Sequence, residues 1–166
     1  MDYVIERAKP EDAKQFLSYL KQIGGESDNL SFGPEGLPFT VEQEQEFLKS
    51  MLTDKNAIFV AKKDGRIIGD CSFTSLSRRF SHRGELGITV LKEYWHCGIG
   101  SALMQKIITF AKESAGAEVI SLEVKSDNTR AIALYERFGF ERLGTYKKFF
   151  KVGDRYFDAE LMNLYL

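Results

Sequence analysis

Apolar residues fall at strand spacing in some stretches of the chain and at helical spacing in others. Tyr3 to Ala8 reads as a short strand, with Val4, Glu6 and Ala8 set against Tyr3, Ile5 and Arg7. Pro10-Glu11-Asp12 opens a helix with proline and acids in its first turn. Phe16, Leu17, Leu20 and Ile23 form its apolar stripe, and Gly24-Gly25 is expected to end it. Residues 26–39 are rich in Asn, Asp, Ser, Gly and Pro and read as a loop. Thr40 with Gln43 has capping-box spacing and starts a helix expected to reach about Thr53. Strands follow at 57–61 and 66–76, joined by a hairpin turn at Lys63-Asp64-Gly65-Arg66. After a polar loop at 77–82 comes a third β run, 84–90.

The segment 98–114 carries Ile99, Leu103, Ile107 and Phe110 or Ala111 on one side of a helix. A strand at 119–124 precedes a helix capped by Ser126 or Asp127 and ending at Gly139. The chain closes with a hairpin, 140–152 and 156–164, across Gly153-Asp154. The order is β-α-α-β-β-β-α-β-α-β-β. The two strands flanking helix 98–114 run parallel if they pair, because a helix crosses over between them. This predicts an α/β protein with a mixed sheet and helices on its faces.

Composition narrows the class. The chain has 166 residues, 43% hydrophobic and 28% charged, which fits a single domain spanning 1–166 with its own core. Its net charge of −1, from 23 basic and 24 acidic residues, argues against nucleic-acid or membrane-surface binding. Cys71 and Cys97 do not make a disulfide framework, and a reducing, cytoplasmic setting is expected. With two His and two Cys and no second pair beside His96-Cys97, no metal site is expected. Residues 1–7 hold no signal-peptide apolar core, and the longest uncharged run, Tyr94 to Gln105, is too short for a membrane span.

Two stretches carry chemistry. In Leu86-Gly87-Ile88-Thr89-Val90 … Tyr94-Trp95-His96-Cys97-Gly98-Ile99-Gly100-Ser101-Ala102-Leu103, a strand leads through a short loop to two glycines at a helix start. Glycines let backbone N–H groups converge and the helix N-terminus adds positive potential, so a pyrophosphate is a natural guest. Close packing of the glycines on the sheet explains the same pattern. A dinucleotide fingerprint would need glycine where Leu103 stands, and no Gly-Lys-Ser/Thr is present. In the second stretch, Leu122 to Phe140, Asn128 and Tyr135 are seven apart and share a helix face, as do Ile132 and Tyr135.

Together these segments resemble the Gcn5-related N-acetyltransferases, the GNAT superfamily. Gly98 to Leu103 is similar to the family's acetyl-CoA pyrophosphate loop. Asn128 … Ala131-Ile132 … Leu134-Tyr135 … Phe138-Gly139-Phe140 is similar to its second signature. Asp158 … Leu161-Met162 resembles the last strand of its ribosomal-protein-acetyltransferase-like branch. The resemblance covers essentially the whole chain and implies the acyl-CoA N-acyltransferase fold, with acetyl-CoA as co-substrate. It implies that Ile88, Thr89 and Val90 pair with the pantetheine amides through their backbone. Cys97, Gly98, Gly100, Ser101 and Ala102 would present N–H groups to the pyrophosphate. Asn128 would contact the pantetheine end, and Tyr135 would sit beside the thioester sulfur. Trp95 departs from the family, which usually has Gln or Arg three residues before the first glycine.

The implied reaction is direct attack of a primary amine on the thioester in a ternary complex. Tyr135 is the expected proton donor to the leaving thiolate, the other reading being a core tyrosine with its hydroxyl bonded to backbone. Glu85 is the candidate general base, acting directly or through a water, the other reading being an exposed carboxylate paired with Arg83. A backbone N–H, that of Ile88 or a neighbour, would meet the oxyanion. Cys97 reads as a loop residue, Cys71 as a buried strand residue and His82 as a loop residue.

From Glu26 to Asp54 there are seven acids and one base. In the resembled family this region walls the acceptor side, so Glu26 and Asp28 are candidate binders of a cationic amine: a small molecule such as a polyamine or aminoglycoside, or a peptide N-terminus. Glu42, Glu44 and Glu46 read as a solvated helix face. Arg78, Arg79 and Arg83 form a basic counter-patch facing cofactor phosphate or solvent. A homodimer that pairs or packs through Ala159 to Leu166 is compatible with the sequence. The alternative function is a non-catalytic acyl-CoA-binding or partner-binding domain of the same fold.

Overall fold

The computed structural model describes residues 2–166. The elements are β1 (Val4–Arg7), α1 (Ala13–Glu26), α2 (Val41–Ser50), β2 (Asn56–Lys63), β3 (Arg66–Ser75), β4 (Arg83–Val90), α3 (Ile99–Glu113), β5 (Val119–Lys125), α4 (Thr129–Arg137), β6 (Glu141–Val152) and β7 (Arg155–Tyr165). Short 3-10 turns at Pro10–Asp12, Arg78–Phe80 and Lys92–Tyr94 join them. One seven-stranded sheet runs in the order β1-β2-β3-β4-β5-β7-β6. The expected element order and the mixed α/β sheet are both present, and β4 pairs with β5 in parallel.

The aromatic core lies between α3 and the sheet. Phe110 meets Phe59 and Phe73 edge-on, and Leu103 and Ile107 are fully buried beneath them. On the other face α1 buries Phe16, Tyr19, Leu20 and Ile23. Helix α2 opens with the expected capping box, Thr40 accepting from the Gln43 N–H while the Gln43 side chain accepts from the Thr40 N–H.

Five local expectations change. Helix α1 does not stop at Gly24-Gly25 but runs on to Glu26. Gly24 is there for close approach, since a Cβ on it would sit 2.1 Å from the Gly33 carbonyl oxygen of the loop folded over the helix. Helix α2 ends at Ser50 rather than Thr53: the Leu52 N–H bonds to the Lys49 carbonyl, three residues back, and the Thr53 side chain accepts from the N–H groups of Lys55 and Asn56, turning the chain toward β2. The cap of α4 is Asn128, whose side chain accepts from the Ala131 N–H, rather than Ser126 or Asp127. Glu44, expected on a solvated face, is fully buried. Its two carboxylate oxygens have no partner among the described residues, and burial raises its pKa. Finally, β7 pairs with β5 on one side and β6 on the other. Strand β7, which holds most of the stretch from Ala159 to Leu166, therefore has no free edge for strand pairing with a second copy; the free edges of the sheet are β1 and β6.

Candidate acyl-CoA and acceptor site

The sheet opens between β4 and β5. Their pairing stops at Glu85↔Ser121, while β4 continues to Val90 and β5 to Lys125. Bonds at the ends of β4 set which residues face that gap. Leu76 N–H donates to the Arg83 carbonyl and Leu91 N–H to the Ile68 carbonyl, so odd-numbered residues turn their backbone polar groups toward β3. His82, an even-numbered residue, accepts from Val119 N–H on the β5 side. The strand's alternation then aims the backbone of Ile88 and Val90 into the gap, an open edge suited to an extended amide-bearing chain. Thr89, expected to share that task, turns its backbone to β3. Val90 retains only its N–H there, because the Trp95 indole Nε1–H donates to its carbonyl at 2.7 Å.

The side chain of Thr89 has other work. Its Oγ1 donates to the Asp70 carboxylate and lies 2.6 Å from the Tyr19 hydroxyl, linking β4, β3 and α1. Burial lifts Asp70 to about 6, against the pull of these hydrogen bonds. Tyr19 is raised well above its ordinary value by burial and by the Asp70 charge. Sequence reasoning missed this cluster. Its signal was an acid inside the apolar run Ile67-Ile68-Gly69-Asp70-Cys71.

The loop after β4 ends in the start of α3, capped by Gly98. His96 and Gly98 both have left-handed backbones, with φ of 63° and 81°. Ala102 N–H closes the first turn of α3 onto the Gly98 carbonyl at 3.0 Å. This removes Ala102 from the expected donors and brings in Ile99. The donors that helix geometry leaves open are Gly98, Ile99, Gly100 and Ser101, with the exposed Cys97 preceding them. Glu26 clips the end of α1 to this region by accepting from Lys92 N–H at 2.7 Å. Asp28 lies exposed in the following loop.

Helix α4 flanks that start. A Cβ on Gly100 would lie 3.4 Å from the Leu134 side chain, and Arg137 donates to the Ser101 hydroxyl at 3.1 Å. Arg130 lies over the Trp95 ring, 3.1 Å from its centroid. Arg130 and Arg137 were also missed, though their seven-residue spacing matches that of Asn128 and Tyr135. The Asn128 carbonyl oxygen is used as the cap, which leaves its NH₂ group to donate. Tyr135 is buried beside Phe140, and its hydroxyl makes no hydrogen bond among the described residues. It is therefore not a core tyrosine tied to backbone. Burial pushes its pKa up to about 12 despite the nearby Arg130 charge, so the hydroxyl keeps its proton at neutral pH.

Glu85 is exposed and unpaired with Arg83, which instead donates to the Ser121 hydroxyl at 3.0 Å. Alternation puts Glu85 on the Thr89 and α1 face of the sheet. Ser121 stands beside it in register, and Glu123, two residues on and also exposed, shares that face. Glu123 is a second carboxylate at the opening, signalled by a lone charge between Leu122 and Val124. The basic counter-patch stands elsewhere: Arg78, Arg79 and Arg83 are at the start of β4, the opposite end from Gly98. No group of His, Cys, Asp or Glu able to hold a metal occurs among the described residues, and none of their helices is long and apolar enough to cross a membrane.

This arrangement fits acetyl-CoA. An open strand edge suits the pantetheine amides, the start of α3 suits the pyrophosphate, and a protonated buried hydroxyl is at hand near Arg130. The comparisons agree. The acetyltransferase (GNAT) family profile matches residues 26–140. An N-alpha-acetyltransferase of Sulfurisphaera tokodaii is 33% identical over 78% of this chain and 78% of its own. An L-amino acid N-acetyltransferase of Escherichia coli is 35% identical over 67% of this chain and 70% of its own. The crystal structure of a GNAT-family acetyltransferase from Streptococcus pneumoniae superposes with a TM-score of 0.95 at 28% identity, over 99% of this chain and 100% of that one. The chain belongs to the acetyltransferase (GNAT) family and is an acetyl-CoA-dependent N-acetyltransferase.

Proposed function

We propose that the acceptor is an α-amino group, on a peptide N-terminus or on a small amino-acid-like molecule. The observation that carries this reading is the pair of exposed carboxylates, Glu85 and Glu123, on one sheet face where β4 and β5 part. Carboxylates there attract an ammonium group and take its proton, directly or through water. An α-amine has a pKa of ~8 against ~10.4 for a lysine side chain, so a weak base at an exposed site suffices. The names of the two relatives, an N-alpha-acetyltransferase and an L-amino acid N-acetyltransferase, support the same chemistry.

Bound acetyl-CoA supplies the acetyl group as a thioester. Ile88 and Val90 would hold its pantetheine arm through the strand edge, joined by the Asn128 NH₂, while Cys97, Gly98, Ile99, Gly100 and Ser101 would face the pyrophosphate. The Ile88 N–H would donate to the carbonyl oxygen as charge builds on it. Glu85 or Glu123 would take the amine proton, and Tyr135 would give its own proton to the departing sulfur. Glu26 and Asp28 would add negative potential on the acceptor side. The setting is cytoplasmic, and the enzyme works as a homodimer joined at the β6 edge, where Leu143, Tyr146, Phe149 and Val152 are exposed.

The test is a panel of free amino acids, unblocked peptides and Nα-blocked lysine peptides, followed by thiol release and mass spectrometry. Acetylation confined to α-amines is the expected result. Modification of lysine side chains with α-amines untouched would overturn the acceptor assignment.

A further inference from the structure

Trp95 stands where the family usually has Gln or Arg, and the structure gives it two contacts. Its Nε1–H donates to the Val90 carbonyl, and the Arg130 guanidinium lies over its ring at 3.1 Å. The first contact anchors the indole to the end of β4; the second joins it to the first turn of α4. Arg130 has no carboxylate partner and no hydrogen bond among the described residues. Stacking occupies the face of a guanidinium but leaves its in-plane N–H groups available. Arg130 is exposed, and partial desolvation lowers its pKa. Seven residues on, Arg137 reaches Ser101 in the first turn of α3. The two arginines share the side of α4 nearest the open N–H groups of α3.

We propose that Arg130, laid flat on Trp95, makes a charged, planar hydrogen bond to the cofactor pyrophosphate, with Trp95 as the platform that positions it. Trp95 thereby moves the cation that the family carries on the preceding loop onto α4. The proposal rests on the acetyl-CoA dependence stated above. It makes Arg130 a cofactor-binding residue and Trp95 a positioning residue that acts through it.

Calorimetric titration with coenzyme A and 3′-dephospho-coenzyme A tests this. Trp95 is the single tryptophan, so its emission follows binding independently in every variant that keeps it. Thermal melts check folding. Arg130→Gln should weaken both ligands by a similar factor, about 10- to 100-fold, the usual range for losing one charged hydrogen bond. Trp95→Phe, which keeps an aromatic face, should stay within about threefold of wild type. Trp95→Ala should lose nearly as much as Arg130→Gln, and the double variant should lose no more than Arg130→Gln alone.

An Arg130→Gln protein that binds both ligands like wild type overturns the proposal. So does one that loses coenzyme A affinity but binds the dephospho form normally, which would assign Arg130 to the 3′-phosphate. Fully additive losses in the double variant would end the platform role of Trp95. Wild type that binds neither ligand would overturn the acetyl-CoA reading as well, so the wild-type titration separates the two failures.

Discussion

At the scale of single residues, the acid and the buried polar cluster make separable predictions. Tyr135→Phe removes the proposed proton donor, whose hydroxyl makes no hydrogen bond among the described residues, so kcat should fall about 100-fold or more while coenzyme A affinity is kept. Equal turnover in the two proteins would remove Tyr135 from the acid role. Because burial holds its pKa up to about 12, the wild-type rate should show no falling limb from tyrosine ionisation below about pH 10. Asp70 behaves differently. Its folded-state pKa, about 6, lies above the ordinary 3.8, so the folded protein binds that proton more tightly than the unfolded chain. The associated stability is full below about pH 4 and is lost as pH rises through about 6. Asp70→Asn should therefore gain on wild type across that window, by up to about 3 kcal/mol at neutral pH, and show no such gain near pH 4. Urea unfolding at a series of pH values reads this directly. A gap that is constant with pH would mean Asp70 does not titrate there.

At the scale of elements, two glycines set the geometry. Gly98 caps α3 at φ 81°, and a Cβ on it would meet nothing within 4 Å. Gly98→Val therefore carries the strain of a left-handed β-branched residue, roughly 1–2 kcal/mol, and crowds the open N–H groups. Abolished coenzyme A binding in a folded protein is the expected outcome; normal binding would mean that the phosphate lies elsewhere. Gly24→Ala places a Cβ 2.1 Å from backbone rather than from a flexible side chain. It should destabilise the α1 end and its loop by several kcal/mol, seen as a lower melting temperature. The caps show where element-scale reading works. Thr40 and Gln43 were legible because a capping box is purely local. Asn128 was misjudged by one or two positions because Ser, Asp and Asn stand together and only the geometry of the turn selects among them.

At the scale of the whole molecule, the sheet order decides what is exposed. Strand β6 is an edge with no buried residue, carrying Tyr146 and Phe149 among Lys147, Lys148 and Lys151. If this edge joins two copies, Phe149→Asp should convert a dimer into a monomer in sedimentation velocity without loss of fold. A wild type that sediments as a monomer at every concentration would remove the dimer from the proposed function.

The sequence by itself determined the element order, the mixed sheet, the glycines at the start of α3 and the helix that carries Asn128 and Tyr135. All of these depend on periodicity, caps and spacings within about twenty residues. Tertiary structure alone decided the rest. Backbone direction along β4, read from its bonds to β3 and to the start of β5, gives Ile88 and Val90 to the gap and denies it to Thr89. The close of the first α3 turn excludes Ala102 and admits Ile99. Pairing of Asp70 with Thr89 and Tyr19, and of Arg130 with Trp95, joins residues 19 to 70 or 35 positions apart. No local pattern encodes such contacts. They exist because packing helices on a parted sheet brings together residues distant in sequence: Asp70, Thr89 and Tyr19 meet where water is scarce, and Arg130 meets Trp95 at the surface beside the start of α3.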